Sequence, residues 1–130
     1  MARDAKDLLE DAKVYLEALE SSVLRVFISY EQSDISDIKT KALISICEIL
    51  ASGALKNIES ASAKTKLDLS AYITQAHGIL VMLGELSDFG LSKGHTAAAL
   101  NGLTLVAKHL NESLDVVVDA VMDERGSHNA

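Results

Sequence analysis

The chain has no proline, no tryptophan and a single cysteine, and among its 130 residues it holds three tyrosines, two phenylalanines and seven glycines. Each scarcity removes an option. Proline stops helices and shapes loops, and glycine supplies tight turns, so a chain with none of the first and little of the second is short of turn material. That argues against hairpin-rich β architectures and for a few long elements. One cysteine, Cys47, cannot form an intrachain disulfide; between Ile46, Ile49 and Leu50 it reads as a small buried hydrophobe, which fits a reducing, cytoplasmic setting. The longest apolar run, Ile79 to Leu83, is far short of the roughly 20 residues that span a bilayer, and the charged start of the chain lacks the apolar centre of a signal peptide. No membrane association is expected.

Positive charge is also in short supply, with 12 Lys and Arg against 19 Asp and Glu, a formal charge of −7. Phosphate backbones are gripped by clustered Lys and Arg, so nucleic acid is not an expected partner. The deficit is uneven: residues 1–33 carry 4 basic and 7 acidic side chains, 34–70 carry 5 and 5, and 71–130 carry 3 and 7. The small basic stretch of Lys56, Lys64 and Lys66 reads as a solvated helix end.

What is present is helical periodicity. Ala5, Leu9, Ala12, Leu16, Leu19, Val23, Val26 and Tyr30 step alternately by four and three, a heptad seam widened by Leu8, Tyr15, Leu24 and Phe27 into the broader stripe of a bundle helix. Ser33 or Asp34 can cap a second helix whose apolar set includes Ile35, Ile38, Ala42, Ile46, Ile49 and Leu50, then Ala54, Leu55, Ile58 and Ala61. Gly53 leaves that helix either continuous or kinked, with continuity preferred. The small polar stretch from Ser60 to Asp68 reads as a flexible connection. A third helix carries Leu69, Tyr72, Ala76, Ile79, Leu83 and Leu86; Gly90, Leu91 and Ser92 then supply a C-terminal cap, its apolar contact and the next N-cap. The fourth helix carries Leu100, Leu103, Ala107, Leu110, Leu114, Val117 and Val121. The expected fold is all-α: one domain over residues 1–130, an elongated antiparallel up-down four-helix bundle with helices at about 4–31, 34–60, 68–89 and 93–123, and a mobile C-terminal tail over 124–130.

A tight hairpin near residue 90 puts residues whose numbers sum to about 181 level with one another, so Gly78 faces Gly102 and Tyr72 faces His109. Two facing glycines suggest a close-packing notch; a ligand-sized gap near Gly78, Met82 and Gly102 is the alternative. His77 and His95 raise the possibility of phosphotransfer, which helical bundles can support. That chemistry calls for a lysine three residues after the histidine to offset phosphoryl charge, and leucine (His77-Gly78-Ile79-Leu80) and alanine (His95-Thr96-Ala97-Ala98) stand there instead. Metal binding has only His109 and Glu112 in an i, i+3 pair, beside an acidic strip of Asp115, Asp119 and Asp123 that reads as a solvated face. Asp88-Phe89-Gly90 and Ser36-Asp37-Ile38-Lys39 imitate catalytic signatures without the surrounding residues, and no Gly-rich phosphate loop occurs.

The expectation is therefore a non-enzymatic, cofactor-free cytoplasmic protein that binds another protein, of the adaptor, regulator or secretion-chaperone type, as a homodimer. The alternatives are histidine phosphotransfer through His77 or His95 and carriage of a small apolar ligand between helices three and four. The neutral, isoleucine-rich second helix, through Ile35, Ile38, Ile46 and Ile49, is the expected partner surface.

Overall fold

The computed structural model describes residues 3–32, 37–89 and 93–129, with side chains placed for 3–29, 39–87 and 95–124. Four helices follow one another: α1 (Ala5–Gln32), α2 (Asp37–Ser62), α3 (Ser70–Phe89) and α4 (Lys93–Asn129). No strand occurs among the described residues. At 1.5 Å per residue the helices span about 30 to 55 Å.

Local chemistry fixes where helices begin. Asp4 caps α1, its Oδ1 accepting the Asp7 N–H at 2.8 Å while its carbonyl accepts Leu8 N–H at 3.1 Å. Asp7 adds negative charge in the first turn, at the positive end of the helix dipole. Before α3, Asp68 Oδ1 accepts the Ser70 N–H at 3.0 Å, and hydrogen bonds from the Ser70 side chain and backbone hold the Asp68 carboxyl below its ordinary range. The caps read at Ser33, Asp34, Gly90, Leu91 and Ser92 lie outside the described residues.

The helices form a ring in which α1 packs on α2 and α4, α2 on α3, and α3 on α4. Direction follows from contacts at one end. Lys64, just past α2, donates to the carbonyl of Arg3, just before α1. Thr65 Oγ1 and the Lys66 N–H donate to the two carboxylate oxygens of Glu124, near the end of α4, at 2.7 and 3.1 Å. The start of α1, the end of α2, the start of α3 and the end of α4 therefore meet there, which makes the bundle up-down and antiparallel. A Lys13–Asp115 ion pair links α1 to α4 along their length.

The core is the set of buried heptad positions on the four helices. On α1 these are Ala5, Leu9, Ala12, Leu16, Leu19, Val23 and Val26; on α3, Leu69 just before the helix with Ala76, Ile79, Leu83 and Leu86; on α4, Leu100, Leu103, Ala107, Leu110, Leu114, Val117 and Val121, all buried. Burying a side chain such as Leu16 contributes about 1.5–3 kcal/mol, so these stripes set the fold.

Three expectations need correction. The first half of the stripe read along α2 is out of phase: Ile44, Cys47 and Ala51 face the core there, while Ala42, Ile46 and Ile49 face outward; Ala54, Ile58 and Ala61 face the core as expected. The connection after α2 is pinned rather than loose, through the Glu124 and Arg3 contacts above and a Leu67 N–H to Thr65 Oγ1 bond of 3.2 Å. Residues 124–129, expected to form a tail, continue α4, and Glu124 is the residue that holds the connection.

Helix α2 runs without a break through Gly53, and here glycine has a steric role. A Cβ at this position would lie 2.8–2.9 Å from the Tyr15 ring of α1, closer than carbon atoms approach. Gly53→Ala would ordinarily gain about 1 kcal/mol of helix propensity. In the wild-type background that gain should be cancelled or reversed in a denaturant melt, and in Tyr15→Ala it should reappear. Additive effects in the double-mutant cycle would refute the Tyr15–Gly53 contact.

Candidate functional site

The seam between α3 and α4 is the loosest of the four. It opens into a groove of about 440 Å³ whose walls are level pairs from the two helices: Gln75 with Val106, Gly78 with Gly102, and Met82 with Ala99. Each pair sums to 180 or 181, the register expected for a hairpin turning near residue 90. Ile79 and Leu103, buried in the core, complete the lining.

The close-packing notch expected at Gly78 and Gly102 is not formed. A Cβ added at either glycine meets nothing within 4 Å, so the helices stand apart there and the glycines line open space. Glycine inside a helix costs about 1 kcal/mol relative to alanine, and no contact within the chain requires either one.

The groove lining is apolar apart from Gln75, and the stretches of α3 and α4 that form it carry no formal charge. Between Asp68 and Glu85 there is no Asp, Glu, Lys or Arg, and none occurs between Lys93 and Lys108. Solvated helix faces normally carry such residues. Here Val81, Met82, Leu105 and Val106 are 42–59% exposed, and α3 is on average the most hydrophobic of the four helices. One polar feature interrupts the lining: Gln75 Oε1 is buried with no hydrogen-bond partner, a costly arrangement for an amide oxygen.

The other sequence-derived candidates are dispersed. His77 lies exposed on α3 and His95 exposed near the start of α4, and neither lines the groove. Ile46 and Ile49 are 52% and 67% exposed. Ile49 borders a depression of about 630 Å³ on the outer face of α2, between Tyr15 of α1 and Leu80 of α3. Ile35 lies outside the described residues, and so does the side chain of Ile38. Cys47 is buried in the core, and the cost of desolvating its thiolate pushes the thiol pKa up to about 11, which leaves it a poor nucleophile at neutral pH. On the acidic strip, Asp115 pairs with Lys13, while Asp119 and Asp123 are exposed. Among the described residues no group of three or more His, Cys, Asp or Glu side chains could hold a metal ion. Nor is any helix among them long and apolar enough to cross a membrane.

Neither known protein families, nor curated proteins, nor solved structures provide a match to this chain.

The open glycines carry a stability prediction. Gly78→Ala and Gly102→Ala, each measured in dilute protein by chemical denaturation, should stabilise the fold by up to about 1 kcal/mol through helix propensity alone. Destabilisation by either would mean that the helices touch there after all.

Proposed function

We propose that this protein works by protein–protein contact, as a homodimer that offers helical faces to a partner in the manner of an adaptor, regulator or secretion chaperone. One observation carries the reading: α3, the most hydrophobic helix, sits on the loosest seam and turns Val81 and Met82 outward on a stretch without Asp, Glu, Lys or Arg. Protein interfaces deplete charge at their centres and favour such residues. The exposed Ile46 and Ile49 on α2 supply a second apolar face for a partner helix, at the i, i+3 spacing used in helix-in-groove recognition. No charged or nucleophilic cluster competes for attention in the groove.

A second reading, carriage of a small apolar ligand, is favoured by Gln75. The buried Oε1 beside an otherwise apolar groove suits a ligand with a hydrocarbon body and one hydrogen-bond donor, such as a long-chain alcohol. Phosphotransfer gains no comparable support, since both histidines lie outside the groove and neither has the lysine its chemistry calls for three residues on.

Light scattering coupled to gel filtration, with native mass spectrometry of the same fractions, separates the two main readings. The contact reading expects a species of twice the chain mass with no additional small molecule. A monomer with added mass in the hundreds of daltons would replace it with the carrier reading, and a bare monomer at every concentration, with no partner copurifying from the native host, would remove both.

A further inference from the structure

Resting on the carrier reading of the α3–α4 groove, we infer that the groove takes an uncharged, single-chain amphiphile. Its hydrogen-bond donor sits on Gln75 Oε1, and its hydrocarbon tail runs past Gly78 and Gly102 toward Met82 and Ala99.

Gln75 sets the head group. It is the polar side chain in a lining otherwise made of aliphatic residues, methionine and glycine, and its Oε1 is buried without a hydrogen-bond partner. An amide oxygen in that position carries an uncompensated desolvation cost, which a ligand that donates a hydrogen bond removes. The oxygen accepts and does not donate, so its match is a hydroxyl rather than an ether or an ester. The terminal torsion of glutamine is soft, so turning the amide toward a bound hydroxyl costs little.

Charge narrows the class further. No Asp, Glu, Lys or Arg occurs between Asp68 and Glu85 or between Lys93 and Lys108. A charged head drawn into the groove would therefore lose its water with no opposite charge to replace it. A carboxylate or phosphate is opposed as well by the formal charge of −7. An alcohol meets neither obstacle.

The glycines make room for the tail. A Cβ at Gly78 or Gly102 meets nothing within 4 Å, and the buried Ile79 and Leu103 complete an apolar lining. From the Gln75–Val106 level to the Met82–Ala99 level the groove extends about 10 Å along the helices. Its volume of about 440 Å³ falls within the roughly 300–1,000 Å³ of small-molecule sites. The two glycines, which cost helix stability without a reason inside the chain, acquire one as the space the tail fills. Ile46 and Ile49 lie on α2, away from this seam, so a filled groove leaves that face uncovered.

Isothermal titration calorimetry with straight-chain primary alcohols from hexanol to tetradecanol should show affinity rising about fourfold per methylene until the tail fills the groove, then levelling off. A methyl ether of equal chain length, which accepts but does not donate, should bind about fivefold more weakly than the alcohol. Decanoate should bind more weakly than decanol. Gln75→Leu should bring alcohol and ether to equal affinity, Gly102→Leu should abolish binding of both, and Ile49→Glu on α2 should change neither. Circular dichroism checks that each variant is folded. Nuclear magnetic resonance of the unsubstituted protein needs no variant: decanol should move the backbone amide signals of Gly78 and Gly102 and the side-chain amide signals of Gln75. An alcohol bound no more tightly than its ether, or a preference that survives Gln75→Leu, would overturn the head-group assignment and leave the carrier reading intact. Binding that leaves the glycine signals unmoved, or no binding by any alcohol of the series, would end both.

Discussion

The structure depends on the seven-residue seam of α1. Ala5, Leu9, Ala12, Leu16, Leu19, Val23 and Val26 are each at most 4% exposed, and they serve two neighbours at once because α1 packs against both α2 and α4. A strict two-position heptad faces a single partner; the widening of the stripe by Leu8 and Phe27 lets one helix sit between two. The polar contacts follow the same plan. Lys13 reaches Asp115 on α4, Tyr15 lies across Gly53 on α2, and Arg3 anchors the connection after α2 through its carbonyl. Helices α2 and α4 are held by α1, and α3 closes the far side of the ring.

That asymmetry explains why the opening lies where it does. α3 lies diagonally across the ring from α1, their backbones far apart, so it is held by α2 and by its own buried row of Ala76, Ile79, Leu83 and Leu86. Bringing α3 and α4 into contact along their outer edges would need side chains that reach across, and Gly78, Gly102 and Ala99 have none to offer. Dispersion attraction falls off within an ångström of contact, so a seam lined by such residues gains little from closing. Meanwhile the Asp68 cap and the Glu124 bonds to Thr65 and Lys66 fix the start of α3 from one end. The groove is thus a consequence of small residues on a helix held firmly at its base.

Much of this was legible in the sequence, and the failures have physical causes. The stripes of α1, α3 and α4 were readable because leucine, valine and alanine recur on one face with polar residues opposite. On the first half of α2 large isoleucines stand at exposed positions 46 and 49, while Ile44, Cys47 and Ala51 are buried; hydrophobic size pointed the wrong way round that half of the helix. Continuity through Gly53 was read correctly, but the reason for a glycine there was not legible, because the Tyr15 ring that lies against it is far off in sequence. The last helix was read to end at 123 because Gly126 and polar neighbours are poor helix formers, and a side-chain contact from Glu124 to a connection about sixty residues earlier leaves no local trace. The notch at Gly78 and Gly102 was placed correctly and interpreted wrongly: register follows from residue numbers, but interhelical distance depends on every residue along the seam. The uncharged stretches flanking the groove could have been found by marking the positions of Asp, Glu, Lys and Arg along the chain.

Those stretches give the charge a structural meaning. Acidic residues concentrate on α1 and the distal half of α4, at positions such as Glu10, Glu17, Glu112, Asp119 and Asp123, which lie exposed. The groove end of α4 and nearly all of α3 are left neutral. If net charge served solubility alone, spreading it evenly would be the cheaper arrangement, because like charges crowded on one side repel one another and destabilise the compact state. Separating a charged side from an uncharged one accepts that penalty and leaves an apolar surface that water solvates poorly. The same helices keep glycines at about 1 kcal/mol each in the middle of that surface. Two independent costs, one electrostatic and one conformational, fall on the same pair of helices and are both recovered if that face is covered.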